Sequence, residues 1–245
     1  MNAPQPAPAS ESRDKTPRRL RSVFAQRHKW KKSAPLRGFY NALLWLMFSV
    51  LTRLRIHHIE RMPKATQGSN GVIVVINHVH AIDPGAVLPW FGRPLTPLAK
   101  VEAFETIGAF LWVVPYGCIP VHRGEVDVQA IRAASEVLAA GGAIVISPEG
   151  TRSPTGALIR GQHGLAYLAY RTQATIVPVG IVGTTNVLPA LRRLRRAPVD
   201  IIVGEPFKLQ FASKPSKEDL QRKTDEAMYR LAALLPAEMR GVYGE

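Results

Sequence analysis

Cysteine is almost missing from this chain of 245 residues, with Cys118 standing alone. No internal disulfide can form, which fits a reducing compartment, and the thiol, lacking a recognisable partner, reads as a small buried apolar group. Acidic residues are scarce as well, 18 against 32 Lys and Arg, for a formal net charge of +14. That excess is uneven. Residues 1–37 carry ten of the basic side chains against only Glu11 and Asp14, so the high pI says little about the folded part. No early apolar segment with a small-residue cleavage site marks a secretory signal. There is no Gly-x-Ser-x-Gly elbow to present a serine nucleophile. Long hydrophobic runs are lacking too. A helix from about Arg37 to Leu54 would be about 27 Å long, slightly short of the hydrocarbon core of a bilayer.

A hydrophobic fraction of 46% argues against wholesale disorder and for one domain with appendages. Residues 1–35, rich in Pro, Ala, Ser and basic side chains without apolar periodicity, read as a disordered basic tail suited to an anionic partner. Residues 36–56 read as a membrane-associated helix. Its aromatic and aliphatic side chains from Phe39 to Leu51, flanked by Arg37, Arg53 and Arg55, suit a helix lying in or dipping into one leaflet. A buried core helix and a full span are the alternatives. In residues 57–245 short β-branched runs alternate with amphipathic stretches. Strands are expected over 72–76, 95–100, 118–121, 143–147, 175–182 and 199–203, with helices between, the last opening at Ser216 with Asp219 as its capping partner. This is the pattern of an α/β fold with a largely parallel central sheet flanked by helices.

The run from Val72 to Ile76 ends abruptly in Asn77-His78-Val79-His80-Ala81-Ile82-Asp83, followed by Pro84-Gly85. It predicts a buried strand delivering a polar loop and then a helix with proline in its first turn. In open α/β sheets, sites form at such strand ends. His78 and Asp83 are too far apart for one strand face, so the loop must fold back for the carboxylate to meet the imidazole. The carboxylate would then accept from Nδ1 and leave Nε2 free to take a proton from a hydroxyl. Two further strand ends carry His122-Arg123 and Pro148-Glu149-Gly150-Thr151-Arg152-Ser153. Parallel strands would bring all three loops to one edge. Arginine forks and turn amides there suit a phosphate.

These blocks, in this order and spacing, resemble the glycerolipid acyltransferases typified by 1-acylglycerol-3-phosphate acyltransferase. Gly117 to Arg123, Ile176 to Gly180 and Gly183-Thr184 agree, and the resemblance runs from about Gly71 to Pro206. It implies that His78 is the general base for attack on an acyl thioester and that Asp83 orients it. Arg123 and Arg152 would hold the acceptor phosphate, with Glu149, Gly150 and Thr151 shaping the acceptor pocket. It implies no metal and no cofactor beyond acyl-CoA or acyl carrier protein as co-substrate. The expected partners are a lysophospholipid and an anionic membrane surface, not nucleic acid. The expected place is the cytoplasmic face of the inner or plasma membrane, attached monotopically or peripherally. His80, Ser147, His122 and Gln162-His163 stand where the family more often has Ser, Phe, Asp and Lys. They leave the acceptor open between lysophosphatidate, a lyso-ornithine lipid and another lysophospholipid.

Two other classes compete. His78-x-His80 at a strand end is the pattern of metal-dependent hydrolase barrels, although too few folded residues follow for a full barrel. A non-enzymatic module could bind acidic lipid or nucleic acid through residues 1–37 and Arg192-Arg193-Leu194-Arg195-Arg196. That second cluster reads as a solvated loop face or a lipid headgroup contact, and no aromatic–basic interleaving supports base readout.

Overall fold

A computed structural model describes residues 34–64, 71–122 and 127–244. Seven strands form one sheet: β1 (Thr52–His57), β2 (Val72–Ile76), β3 (Leu95–Lys100), β4 (Ile119–Val121), β5 (Ala143–Ile146), β6 (Thr175–Val182) and β7 (Ala197–Val203), in spatial order β1-β7-β6-β2-β5-β3-β4. The five strands from β6 to β4 in that order are mutually parallel. β7 is antiparallel to β6, and β1 is parallel to β7. The sheet is therefore largely parallel, as the alternation of elements predicted, with a reversed edge that the sequence did not announce.

The central strand shows why the sheet is covered on both faces. All five residues of β2 are buried, and their side chains alternate between two cores. Val72, Val74 and Ile76 pack in one layer with Phe48 of α1 (Ala34–Leu51), Val87 of α2 (Asp83–Val87) and Tyr116 of α3 (Ile107–Tyr116). Ile73 and Val75 face the other layer, with Leu138 of α4 (Val128–Ala139), Leu165 of α5 (Gly164–Thr172) and Leu231 of α7 (Lys217–Ala232). A short α6 (Val187–Leu191) follows β6. Ser216 and Asp219 form the reciprocal capping box at the start of α7 that their spacing predicted.

The N-terminal part departs from expectation. Residues 1–33 of the expected basic tail lie outside the described residues, and Ala34 and Pro35 belong to α1. The helix ends at Leu51 rather than running through residue 56, because Thr52–His57 joins the sheet as an edge strand. Its alternation of Arg53 and Arg55 with Leu54 and Ile56 is the signature of a half-buried strand. Arg37 is not a flanking interfacial cation. It is buried, and its guanidinium donates to the carbonyl oxygens of Tyr116 (2.7 Å) and Gly117 (3.4 Å), completing the C-terminus of α3. Arg55 pairs with Asp200 through two 2.8 Å bonds. Among the described residues no helix is long and apolar enough to cross a membrane.

Where β2 ends, Asn77 locks it to β6. The buried amide donates to the Ile181 carbonyl (2.9 Å) and accepts from the Ile181 N–H (2.8 Å), replacing a rung of the ladder just before the polar loop begins. Asn77→Ala would orphan both backbone groups. It should lower stability by about 1–3 kcal/mol for each group left unsatisfied; urea unfolding would measure the loss, and an unchanged midpoint would mean water replaces the amide.

Candidate active site

The loop from His78 to Ile82 folds back on a single carboxylate. Asp83, the first residue of α2, is fully buried. Its Oδ2 accepts from the backbone N–H of Val79 (2.7 Å) and His80 (2.6 Å) and lies 3.1 Å from Nδ1 of His78. Its Oδ1 accepts from the Thr184 hydroxyl at 2.6 Å. A carboxylate only accepts, and four donors fill its two oxygens. The bond to His78 therefore puts the ring proton on Nδ1 and leaves Nε2 as the free nitrogen. α1 supports the arrangement from behind, since a side chain at Gly85 of α2 would meet Leu44 at 3.3 Å.

The loop after β5 braces the other side. Glu149 is buried and accepts from the His78 N–H (3.0 Å) and the Ile159 N–H (3.1 Å), one on each oxygen. Ser153 N–H donates to the His78 carbonyl (2.8 Å), and Gln162 N–H to the Pro148 carbonyl (2.7 Å). Gly150 has φ +67, the left-handed region that favours glycine. Burial pushes the Glu149 carboxyl up to about 7, against the pull of its two backbone donors and of His78. Glu149 thus belongs to the frame that fixes the His78 backbone, as well as to the pocket wall where the sequence placed it.

A cavity of about 470 Å³ opens between these loops. His78, Glu149, Gly150 and Thr151 line it, and His122, Asp127 and His163 add polar groups. Its remaining wall is largely aliphatic, from side chains such as Leu98, Ile131, Val145 and Leu168. Of the seven expected site residues, five therefore meet at one cavity or directly behind it. Arg152 is exposed beside Thr151 and does not line the cavity. Arg123 lies outside the described residues.

Two groups escaped the sequence reading. Thr184 belongs to the Gly183-Thr184 pair that agrees with the family resemblance, which implies no role for it, yet its hydroxyl bonds the buried carboxylate. The other is Asp127, which holds His122 through Nδ1–Oδ2 at 2.8 Å and accepts from the His122 N–H at 2.9 Å, while its second oxygen caps α4 through Ala130 N–H. The signal was present, because His122-x4-Asp127 repeats the spacing of His78-x4-Asp83. Burial alone would raise the Asp127 carboxyl, but these bonds bring it below its ordinary value. Cys118 is buried, and burial pushes its thiol up to about 12, in keeping with an inert core residue. Among the described residues, no group of three or more His, Cys, Asp and Glu side chains could hold a metal ion.

The acyltransferase family model matches residues 53–182, a span that contains His78, Asp83, Glu149 and the whole lining of the cavity and stops two residues short of Thr184. The chain belongs to the acyltransferase family. It is 29% identical over 148 residues to a probable 1-acyl-sn-glycerol-3-phosphate acyltransferase of Mycoplasma pneumoniae, covering 58% of this chain and 53% of that protein. It is 30% identical over 133 residues to the 1-acyl-sn-glycerol-3-phosphate acyltransferase of Borreliella burgdorferi, covering 52% and 50%. The matched regions thus span about half the length of these curated relatives. The crystal structure of the 1-acyl-sn-glycerophosphate acyltransferase PlsC from Thermotoga maritima superposes with a TM-score of 0.63 at 24% identity, over 88% of this chain and 85% of that one. That likeness establishes a shared fold. The family resemblance carried by the His-x4-Asp and Pro-Glu-Gly-Thr-Arg-Ser blocks is borne out.

The Glu149 frame of this acyltransferase-family chain yields a pH test. A carboxyl raised from 4.5 to about 7 keeps its proton longer in the folded state than in the unfolded one. Its contribution to stability is therefore complete below about 4.5 and is lost as pH rises through about 7. Glu149→Gln cannot ionise, and its amide nitrogen would face a backbone N–H, at a cost of about 1–3 kcal/mol. The deficit of the variant should be larger at pH 5 than at pH 8 in urea unfolding. A deficit that grows with pH would mean that the folded protein favours the Glu149 anion.

Proposed function

We propose that the protein moves an acyl chain from a thioester of coenzyme A or acyl carrier protein to the free hydroxyl of a lysophospholipid. The first acceptor is 1-acylglycerol-3-phosphate and the product phosphatidate. The observation that carries this reading is the His78–Asp83 pair, with Nδ1 held at 3.1 Å by a buried carboxylate on a ring that lines the cavity. Nε2 takes the hydroxyl proton as the oxygen attacks the thioester carbonyl. The C–S bond then breaks, and the imidazolium returns the proton to the departing thiolate, so the ring ends neutral. Asp83 stabilises the imidazolium between the two transfers. Hydroxyl, thioester and imidazole supply every proton and electron pair in the step, which uses no metal or further cofactor.

The names of the relatives support lysophosphatidate as acceptor. Its phosphate is assigned to Arg123 and Arg152, and its glycerol end to the turn of Glu149, Gly150 and Thr151. The aliphatic wall of the cavity suits a hydrocarbon chain. His78→Ala should lower turnover about 10²–10⁴-fold through loss of the base, and it should also lower the unfolding midpoint, because buried Asp83 loses one of its four donors. Asp83→Asn should lose comparable activity and also stability, since an amide cannot accept from four donors. Near-normal turnover by His78→Ala would sink the mechanism.

Attachment to the cytoplasmic face of a membrane, monotopic or peripheral, completes the proposal. α1 packs Phe48 into the core while Leu36, Phe39, Leu43, Leu46 and Val50 remain at least half exposed. Their spacing places them in one stripe along the helix, an apolar patch of the kind that marks an interaction surface. Replacing Phe39, Leu43 and Leu46 by Asp should release the protein from liposomes without unfolding it, whereas high salt alone should not, because apolar burial is nearly indifferent to screening. Retention of the triple variant would remove α1 from the membrane contact.

A further inference from the structure

The arginine cluster 192–196 has no part in the reaction, yet the topology puts it beside the site. β6 is parallel to β2, so Val182 ends on the same sheet edge as Ile76 and the His78 loop. The chain then turns at Gly183 (φ +90), where a side chain would collide with the Pro198 carbonyl, and enters Thr184, which holds Asp83. α6 and Arg192 to Arg196 follow before β7 starts back from that same edge. The register pairs Thr52 with Ala197, so the start of β1 and the last turn of α1 lie there too. Arg196 joins them directly: its guanidinium donates to the backbone carbonyls of Ser49 and Thr52.

The loop itself has an unusual surface. Leu194 is 99% exposed and sits at φ +54, in the left-handed region that a branched apolar residue seldom occupies. Backbone bonds from Leu194 to Leu191 and from Arg195 to Ala190 close the turn around it. Arg192, Arg193, Arg195 and Arg196 are exposed, and no acidic residue occurs between Gly183 and Val199. Among the described residues none of these four makes an ion pair. Leu188 of α6 is exposed beside them.

We propose that the turn Arg192–Arg196 is a second membrane-docking element, which seats Leu194 among acyl chains and the arginines among anionic headgroups, and so holds the His78 edge of the sheet against the lipid surface. The proposal rests on the lysophospholipid reading above and adds to it where the bilayer meets the domain. Charge complementarity selects an anionic partner. An apolar tip at the centre of the patch, in a turn that Arg196 bonds to the end of α1, selects lipid over nucleic acid, whose backbone offers leucine nothing to enter. Arginine headgroup contacts with an apolar residue between them are what an interfacial segment requires.

The full-length protein is tested on phosphatidylcholine vesicles with and without phosphatidylglycerol, by cosedimentation and by turnover. Arg192→Gln/Arg193→Gln/Arg195→Gln leaves Arg196 in place. It should weaken partition onto phosphatidylglycerol vesicles about 10–100-fold, with no loss of turnover on a short-chain lysophosphatidate below its micelle concentration. Leu194→Gly suits the left-handed backbone, so it should keep or raise the unfolding midpoint while lowering partition severalfold on both vesicle types. Unchanged partition in both variants overturns the proposal, as does loss of DNA binding with vesicle binding intact. If the parent turns over neither monomeric nor vesicular lysophosphatidate, the reading beneath it fails first, and the proposal falls with it.

Discussion

Everything at the site depends on how one buried carboxylate is satisfied. Asp83 sits at zero exposure with four donors around it, two backbone amides from the loop before it, the His78 ring, and a hydroxyl from the end of β6. An unpaired charge in that position would be costly, so the loop has little choice of conformation. The same bonds that make the carboxylate tolerable in the core turn the chain back, set the tautomer of His78 and tie β2's polar end to β6. Fold stability and catalytic geometry are therefore one problem here, and Asn77 and Glu149 extend the solution. Asn77 fixes the last rung before the loop; Glu149 holds the His78 backbone from the opposite side.

Much of this was legible in the sequence. β2 announces itself because five β-branched residues in succession suit only a strand buried on both faces. The fold-back of His78 on Asp83 follows from spacing, and convergence of the three polar loops follows from parallel strands. What was hidden is mostly non-local. Thr184 meets Asp83 across 101 residues, and no spacing rule links them. Arg37 looks like an interfacial arginine until α3 is folded against it, when its value lies in the carbonyls of Tyr116 and Gly117. β1 was legible and misassigned: the alternation from Arg53 to Ile56 continued an apolar run, and helical momentum masked the change of period. The antiparallel return of β7 comes after residues 183–196, which contain α6 and stay on one edge of the sheet, and no residue pattern announces it.

The reversed edge has a geometric consequence. Because β1 and β7 run against β2, the end of α1 and the arginine turn fall on the edge that carries His78. The exposed apolar stripe of α1 thus ends on the same edge of the sheet as the cavity. The second His–Asp pair, at His122 and Asp127, lies on that cavity as well and gives it another imidazole.

The central claim is direct transfer from thioester to lipid hydroxyl. Purified full-length protein, given an isotopically labelled acyl-CoA and 1-acylglycerol-3-phosphate, should place the label in an ester at the free hydroxyl. One thiol should be released for each ester formed, and the intact protein mass should not change. Thiol release without ester, or a labelled acyl adduct on the protein, would contradict the account.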